Sequence, residues 1–383
     1  MTVWSRWRRP ARPLLSPTPD VRRTKLLLLA TAGTVATLLF AAAALCLGSG
    51  CSSAGYYGQA VAGHVDLMQR ARPVAELVTD DSTPAALRER LKLSQRMRDF
   101  AVQELKLPDN RSYRSFSALG RDAAVWNVVA APELSMKLKT WCFPVLGCVG
   151  YRGYFDRAEA DALAAQLQAE GWEVSVYGVP AYSTLGWSNW LGGDPLLNTF
   201  VSWPEGELAR LIFHELSHQV VYADNDTTFN ESFATAVERI GGRRWLEQHA
   251  SAQAREAYAA IDSRRQDFRA LTARHRGELQ RLFASDLPDA EKREQKTVLM
   301  AALRADYQAM KAERWGGFAG YDGWFSRANN AALGVQAAYN ELVPEFERLF
   351  AASGNDFERF YAEVKVLAAL PKSERRARLG ATP

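Results

Sequence analysis

Once its N-terminus is set aside, the 383-residue chain lacks an excess of charge of either sign. Residues 1–25 hold seven Lys and Arg against one acid, and the remainder carries 40 basic and 42 acidic residues, which leaves no basic footprint for nucleic acid. Histidine is scarce, with five in all, and cysteine scarcer, with four. Low-complexity tracts and internal repeats are absent, and 48% apolar with 23% charged residues excludes a disordered or fibrous chain. The length suits one large domain or two small ones.

Charge is missing altogether from residues 26–51. A basic flank, VRRTK, precedes 22 uncharged residues from Leu26 to Leu47, and GSGCSS follows, which is the layout of an export or anchoring segment. Cleavage before Cys51 with acylation of that cysteine is one expectation, with Gly48 standing where leucine is usual. A retained signal anchor is the other, since 22 apolar residues suffice to span about 30 Å of hydrocarbon. The basic residues keep the near side cytoplasmic, so both place the body of the protein outside the cytoplasm. Cys142 and Cys148, an even pair in an exported chain, are expected to form a disulfide; no neighbouring Cys or His completes a metal set there.

Apolar periodicity predicts helices within residues 56–105 and from Arg243 to about Trp315, the latter a hairpin broken at SDLPDAEK, and a last helix near residues 332–350. AVWNVVAA (124–131) and WEVSVYGVP (172–180) read as strands, with the helix RAEADALAAQLQAEG before the second. The fold class is α+β and mostly α-helical, with a small β-sheet and a long helical hairpin. LPKSERRARLGATP reads as a charged, frayed tail.

Two of the five histidines fall in LIFHELSHQVVYADNDTTFNESFA. At about 100° per residue, His214 and His218 lie one turn apart on a single helical face with Glu215 beside them, the HExxH arrangement of a zinc site. The competing reading is a helix that merely carries polar residues. In so apolar a wrapping, two imidazoles and a carboxylate without a partner would each cost about 1–3 kcal/mol or more. ADNDTT is turn chemistry with Asp226 or Thr227 as a cap, and FNESFATAVERIGG reads as a second helix ending at Gly241. Glu231, in its first turn, is the favoured third ligand. Asp224, six residues past His218, and Glu238, two turns beyond Glu231, are the rivals. Asn230 and Glu238 are candidates to orient the ligands by hydrogen bonds.

HELSH followed by NESFATAVE resembles the gluzincin zinc peptidases, and NESFATAVE is similar to the NEGFASYVE segment of aminopeptidase N-like enzymes, with Glu231 on the ligand glutamate. The chain also resembles a family of bacterial putative aminopeptidases that are predicted membrane lipoproteins. CSSAGYYGQAVAGH, LPDNRSYRSF, VWNVVAAPE, WCFPVLGCVGYRGYF, GVPAYSTLGW, DPLL, ELARLIFHELSHQVVY, FNESFATAVE and NNAALG carry the likeness in order. It covers nearly everything after Cys51. The 12 residues between His218 and Glu231 are fewer than in aminopeptidase N, and no GxMEN-like segment is present.

This resemblance implies a signal, lipoprotein or anchor segment at 1–51, one gluzincin-like metallopeptidase domain at 52–370 and a flexible tail at 371–383. It implies Zn²⁺ held by His214, His218 and Glu231, Glu215 as general base, and a peptide as substrate. A zinc-binding but catalytically inactive envelope lipoprotein is the alternative, and the intact Glu215 argues against it. Tyr182, Tyr222 and Tyr339 are candidate oxyanion donors by residue type, each with a plain packing role as its rival. His249 and His275, on charged helices, are expected to be solvated.

Overall fold

The computed structural model describes residues 51–143, 147–182 and 193–380, without the side chains of residues 51–54, 147 and 337–339. The chain divides into two compact units, Met1–Gly58 and Gln59–Pro383. Of the first, the described residues are the opening turns of helix α1 (Cys51–Gln69). Among the described residues no helix is long and apolar enough to cross a membrane. The run from Leu26 to Leu47 lies outside them.

The second unit is mostly helical with small sheets. β1 (Arg72–Pro73) leads into the single turn α2 (Val74–Leu77) and the amphipathic α3 (Ala85–Gln103), which buries Leu91, Met97 and Phe100. β2 (Ser115–Ser117) pairs antiparallel with β1. β3 (Val125–Pro132) forms the middle of the main sheet, because its valines and alanines are buried on both faces. The cysteine loop is a hairpin of β4 (Trp141–Phe143) and β5 (Gly147–Val149), in which Cys142 lies opposite Cys148 and is bonded to it. β6 (Arg152–Tyr154) flanks β3 on one side; β7 (Trp172–Val179), reached through helix α4 (Arg157–Ala169), flanks it on the other, all antiparallel. β8 (Leu196–Leu197) adds in parallel to β2. This second small sheet has strands too short for sequence periodicity to register.

Helices α5 (Glu205–Ser217) and α6 (Thr227–His249) pack closely against each other. The expectation that α6 stops at Gly241 is corrected: the helix runs eight residues further, to His249. Gly241 and Gly242 are contact points, not stops. A Cβ on Gly241 would lie 2.5 Å from Leu105 Cδ1, and one on Gly242 would lie 2.7 Å from Arg210 Cγ. The glycines are there for close approach.

The predicted hairpin is α7 (Ala252–Ala284) and α8 (Asp289–Glu313), with Phe268, Leu271, Leu279, Leu303 and Tyr307 in a core of their own. After α9 (Asp322–Arg327), α10 (Asn330–Asn340) packs on β3, β7 and α6, with Ala331 against Val129 and Ala131 of the sheet. α11 (Val343–Ala352) and α12 (Phe357–Ala368) close the main core through Phe346, Phe350 and Phe360. The sequence expects a flexible tail from residue 371, yet α13 (Lys372–Gly380) is helical and buries Arg375 and Leu379. The reason is Asp226: its carboxylate accepts from Arg375 Nη1 at 2.8 Å and Arg376 Nη2 at 2.7 Å, with Lys372 Nζ at 3.6 Å. A third correction concerns His275, which is buried, 2.8 Å from Asp306 and 3.2 Å from Glu278, where a solvated side chain was expected. His249 is exposed and stacks on Trp245.

Candidate metal centre

Helix α5 begins after Pro204, with Glu205 and Glu207 in its first turn, where acids suit the positive end of a helix. Ile212, Phe213 and Leu216 are buried, and His214 faces α6. The last residue of α5 is Ser217, and His218 is its C-cap with helical backbone angles, so both histidines keep the helical spacing. The chain turns through residues 219–226, and Asp226 caps α6 by accepting from Phe229 N at 3.3 Å. Asn225 takes positive φ at the bend. Its Oδ1 accepts from Cys148 N at 2.9 Å, which ties the disulfide hairpin to this turn.

The turn brings Glu231 back onto the histidines. His214 Nε2 and His218 Nε2 are 3.2 Å apart, and Glu231 Oε2 is 3.3 Å from the first and 3.7 Å from the second. Ligands about 2.05 Å from a tetrahedral zinc are separated by about 3.3 Å, so this triangle has the dimensions of one face of such a tetrahedron. Among the described residues His214, His218 and Glu231 form the group of metal-ligand type that converges in this way. Asp224 is exposed and is not in it.

Glu238 lies behind the histidines. His214 Nδ1 donates to its Oε2 at 2.9 Å, which fixes the tautomer and leaves Nε2 with its lone pair towards Glu231. The other Glu238 oxygen accepts from the buried Arg210. Burial alone would raise the Glu238 pKa; Arg210 and His214 outweigh it and bring it down to about 2. Around His214, burial favours the neutral ring, but Glu231 and Glu238 draw positive charge to it more strongly and raise its pKa. A proton and a metal ion therefore compete for the same Nε2. Burial lowers the His218 pKa to about 4, which keeps its ring neutral at pH 7 and able to act as a ligand.

Asn230 does not touch the histidines. Its carboxamide clamps one residue of the turn, accepting from Ala223 N at 2.8 Å and donating to Ala223 O at 2.9 Å, and so sets the angle at which α6 returns. Glu215 is half-buried on α5 between the two histidines in sequence.

Two tyrosines that sequence reasoning missed lie near these carboxylates. Burial and then the charge of Glu231 push the Tyr151 phenol up; Glu215 adds to the effect. Tyr113 is fully buried, its pKa raised by burial and then by Glu215, and its hydroxyl has no hydrogen-bond partner among the described residues. Its segment is fastened to the turn that follows α5, since Gln219 Nε2 donates to Ser112 Oγ at 3.1 Å and Asn110 Nδ2 to Gln219 Oε1 at 2.6 Å. Both tyrosines sit in segments quoted above for the family likeness, LPDNRSYRSF and WCFPVLGCVGYRGYF. That was the signal available. Of the three named by residue type, Tyr222 lies in electrostatic reach of Glu231, Tyr182 packs against Phe155 and His64, and the side chain of Tyr339 lies outside the described residues.

Comparison with curated proteins and with solved structures returned no match. The family model described as "Putative aminopeptidase" matches residues 55–379, a span that includes every residue of this centre. The chain belongs to that aminopeptidase family.

Proposed function

We propose that the protein is a zinc-dependent peptidase of gluzincin type, acting on peptide bonds outside the cytoplasm. The observation that carries this reading is the buried triangle of His214 Nε2, His218 Nε2 and Glu231 Oε2, with Glu215 on the same helix. Zinc bound there supplies a Lewis acid that polarises the scissile carbonyl and makes water a nucleophile at neutral pH. Glu215 accepts the proton of the attacking water and returns it to the departing amine. Glu238 holds His214 in the tautomer that presents Nε2. Tyr151, whose phenol is kept protonated at pH 7 by burial and by the charges of Glu231 and Glu215, is the proposed donor to the developing oxyanion.

The test separates the roles. Glu215→Gln is expected to retain one zinc per chain by elemental analysis and to lose hydrolysis of peptides, whereas Glu231→Ala loses most of the metal. Asp224→Ala is expected to keep both. Equal metal loss in the two glutamate variants, or loss in Asp224→Ala alone, sinks the assignment.

The N-terminal sequence supports attachment of this domain to the membrane by lipid at Cys51. Cys51→Ser should then accumulate as a larger precursor. An intact mass for the membrane-extracted wild-type protein that includes Met1 to Gly50 rejects the lipid and favours a spanning anchor.

A further inference from the structure

Helices α7 and α10 line a partly open pocket of about 170 Å³. Arg269 and Arg276 project from α7 two turns apart, on one face of the helix. The Arg269 guanidinium makes no hydrogen bond or ion pair with any described residue, and Arg276 Nε is buried without a partner among them. Burial and then the charge of Arg210 lower the pKa of Arg269, with Glu238 pulling the other way.

The acids in electrostatic reach of Arg269 have closer partners: Glu238 is held by Arg210 and His214, Asp262 lies 3.1 Å from Arg265, and Glu207 Oε2 lies 2.5 Å from Arg265. Burial of the Arg269 guanidinium without a direct counter-charge destabilises the fold, so folding alone gives no reason to place it here.

The remaining walls narrow the ligand. Leu333 and Ala273 present apolar surface, and Gln336 offers a carboxamide with no partner among the described residues. The half-exposed Glu341 lies 3.7 Å from Arg376 and disfavours a second negative charge in the ligand. A guanidinium fork matches the two oxygens of a carboxylate, and apolar walls suit a short aliphatic group attached to it. A water molecule occupies about 30 Å³, so the space holds a carboxylate and the first few atoms attached to it, and the open side of the pocket leaves room for the rest of a longer ligand.

We propose that this cavity binds a single carboxylate carried on a small organic group, as in a free amino acid or the C-terminus of a peptide. Its lining shares no residue with the centre of His214, His218 and Glu231, and its occupancy does not depend on whether that centre hydrolyses anything.

Calorimetric titration of the detergent-extracted full chain with N-acetylalanine tests it. Binding is expected for the acid and not for N-acetylalanine amide. It should weaken at least tenfold in Arg269→Gln/Arg276→Gln and persist in Glu231→Ala, which excludes the metal as the anion's partner. The double variant should melt no lower than wild type, because neither guanidinium loses a hydrogen-bond or ion-pair partner among the described residues. N-acetyl-trialanine binding more tightly than N-acetylalanine assigns the site to peptide termini, and the reverse order assigns it to small carboxylates. Equal binding of acid and amide, unchanged affinity in the double variant, or tighter binding of inorganic phosphate than of the carboxylate overturns the proposal.

Discussion

Glu238 offers a way to separate orientation of a ligand from stability of the fold, because its two oxygens serve different partners. Oε2 accepts from His214 Nδ1 at 2.9 Å, and Oε1 accepts from Arg210, which is 5% exposed. Glu238→Gln keeps the shape and removes the charge that fixes the imidazole. Loss of such a supporting partner typically lowers metal affinity by about 10- to 100-fold, or about 1.4–2.7 kcal/mol. Glu238→Ala goes further and leaves the buried guanidinium with Asp262 at 3.6 Å and the Tyr258 hydroxyl at 3.4 Å as its remaining polar contacts. Breaking a buried pair in this way costs about 3–5 kcal/mol. Competition with a chromophoric chelator reads the zinc affinity of wild type and Glu238→Gln, and urea unfolding of the metal-stripped chains reads stability. The carboxyl pKa of Glu238 sits below its unfolded value, so its contribution is complete above the ordinary carboxylate range and is lost as the pH falls towards about 2. If Glu238→Gln binds zinc within twofold of wild type, or Glu238→Ala unfolds at the wild-type urea concentration, the relay from Arg210 to His214 has no energetic role.

Asp226→Asn should destabilise the chain by about 3 kcal/mol, since Arg375 and Arg376 lose their counter-charge at the start of α6. Burial raises the Asp226 pKa, but Arg376, Lys372 and Arg375 lower it further, so wild type alone should lose this increment as the pH drops below about 4; parallel stability curves for the two proteins on the acid side would contradict the clamp. Gly241→Ala should lower the melting midpoint despite the roughly 1 kcal/mol that alanine gains in a helix, because its Cβ meets Leu105 and Phe213. Gly277→Ala, in α7 with nothing within 4 Å, should raise it; the same sign of shift in both would mean that α5 and α6 do not depend on close approach.

Local spacing made the centre legible in the sequence. Residues four apart on a helix share a face whatever the rest of the chain does, so His214 and His218 needed no structure to be paired, and an even pair of cysteines in a chain read as exported pointed to the Cys142–Cys148 disulfide. Helix and strand types followed from periodicity for the same reason. What sequence could not decide was every contact made across long separations. Glycines in a helix read as stops, and only the neighbouring Leu105 and Arg210 explain why α6 continues through Gly241 and Gly242. A run of arginines near the C-terminus read as solvated, until Asp226, 149 residues away from Arg375, supplied the charge that buries it. Asn230 was expected to hold a ligand and instead holds the turn, because its distance to Ala223 depends on how the chain bends after His218. Periodicity reports which face a residue occupies; which partner waits on that face is set by packing, and in this protein packing placed Glu238 behind His214, Tyr151 in reach of Glu231, and two unpaired arginines around a cavity.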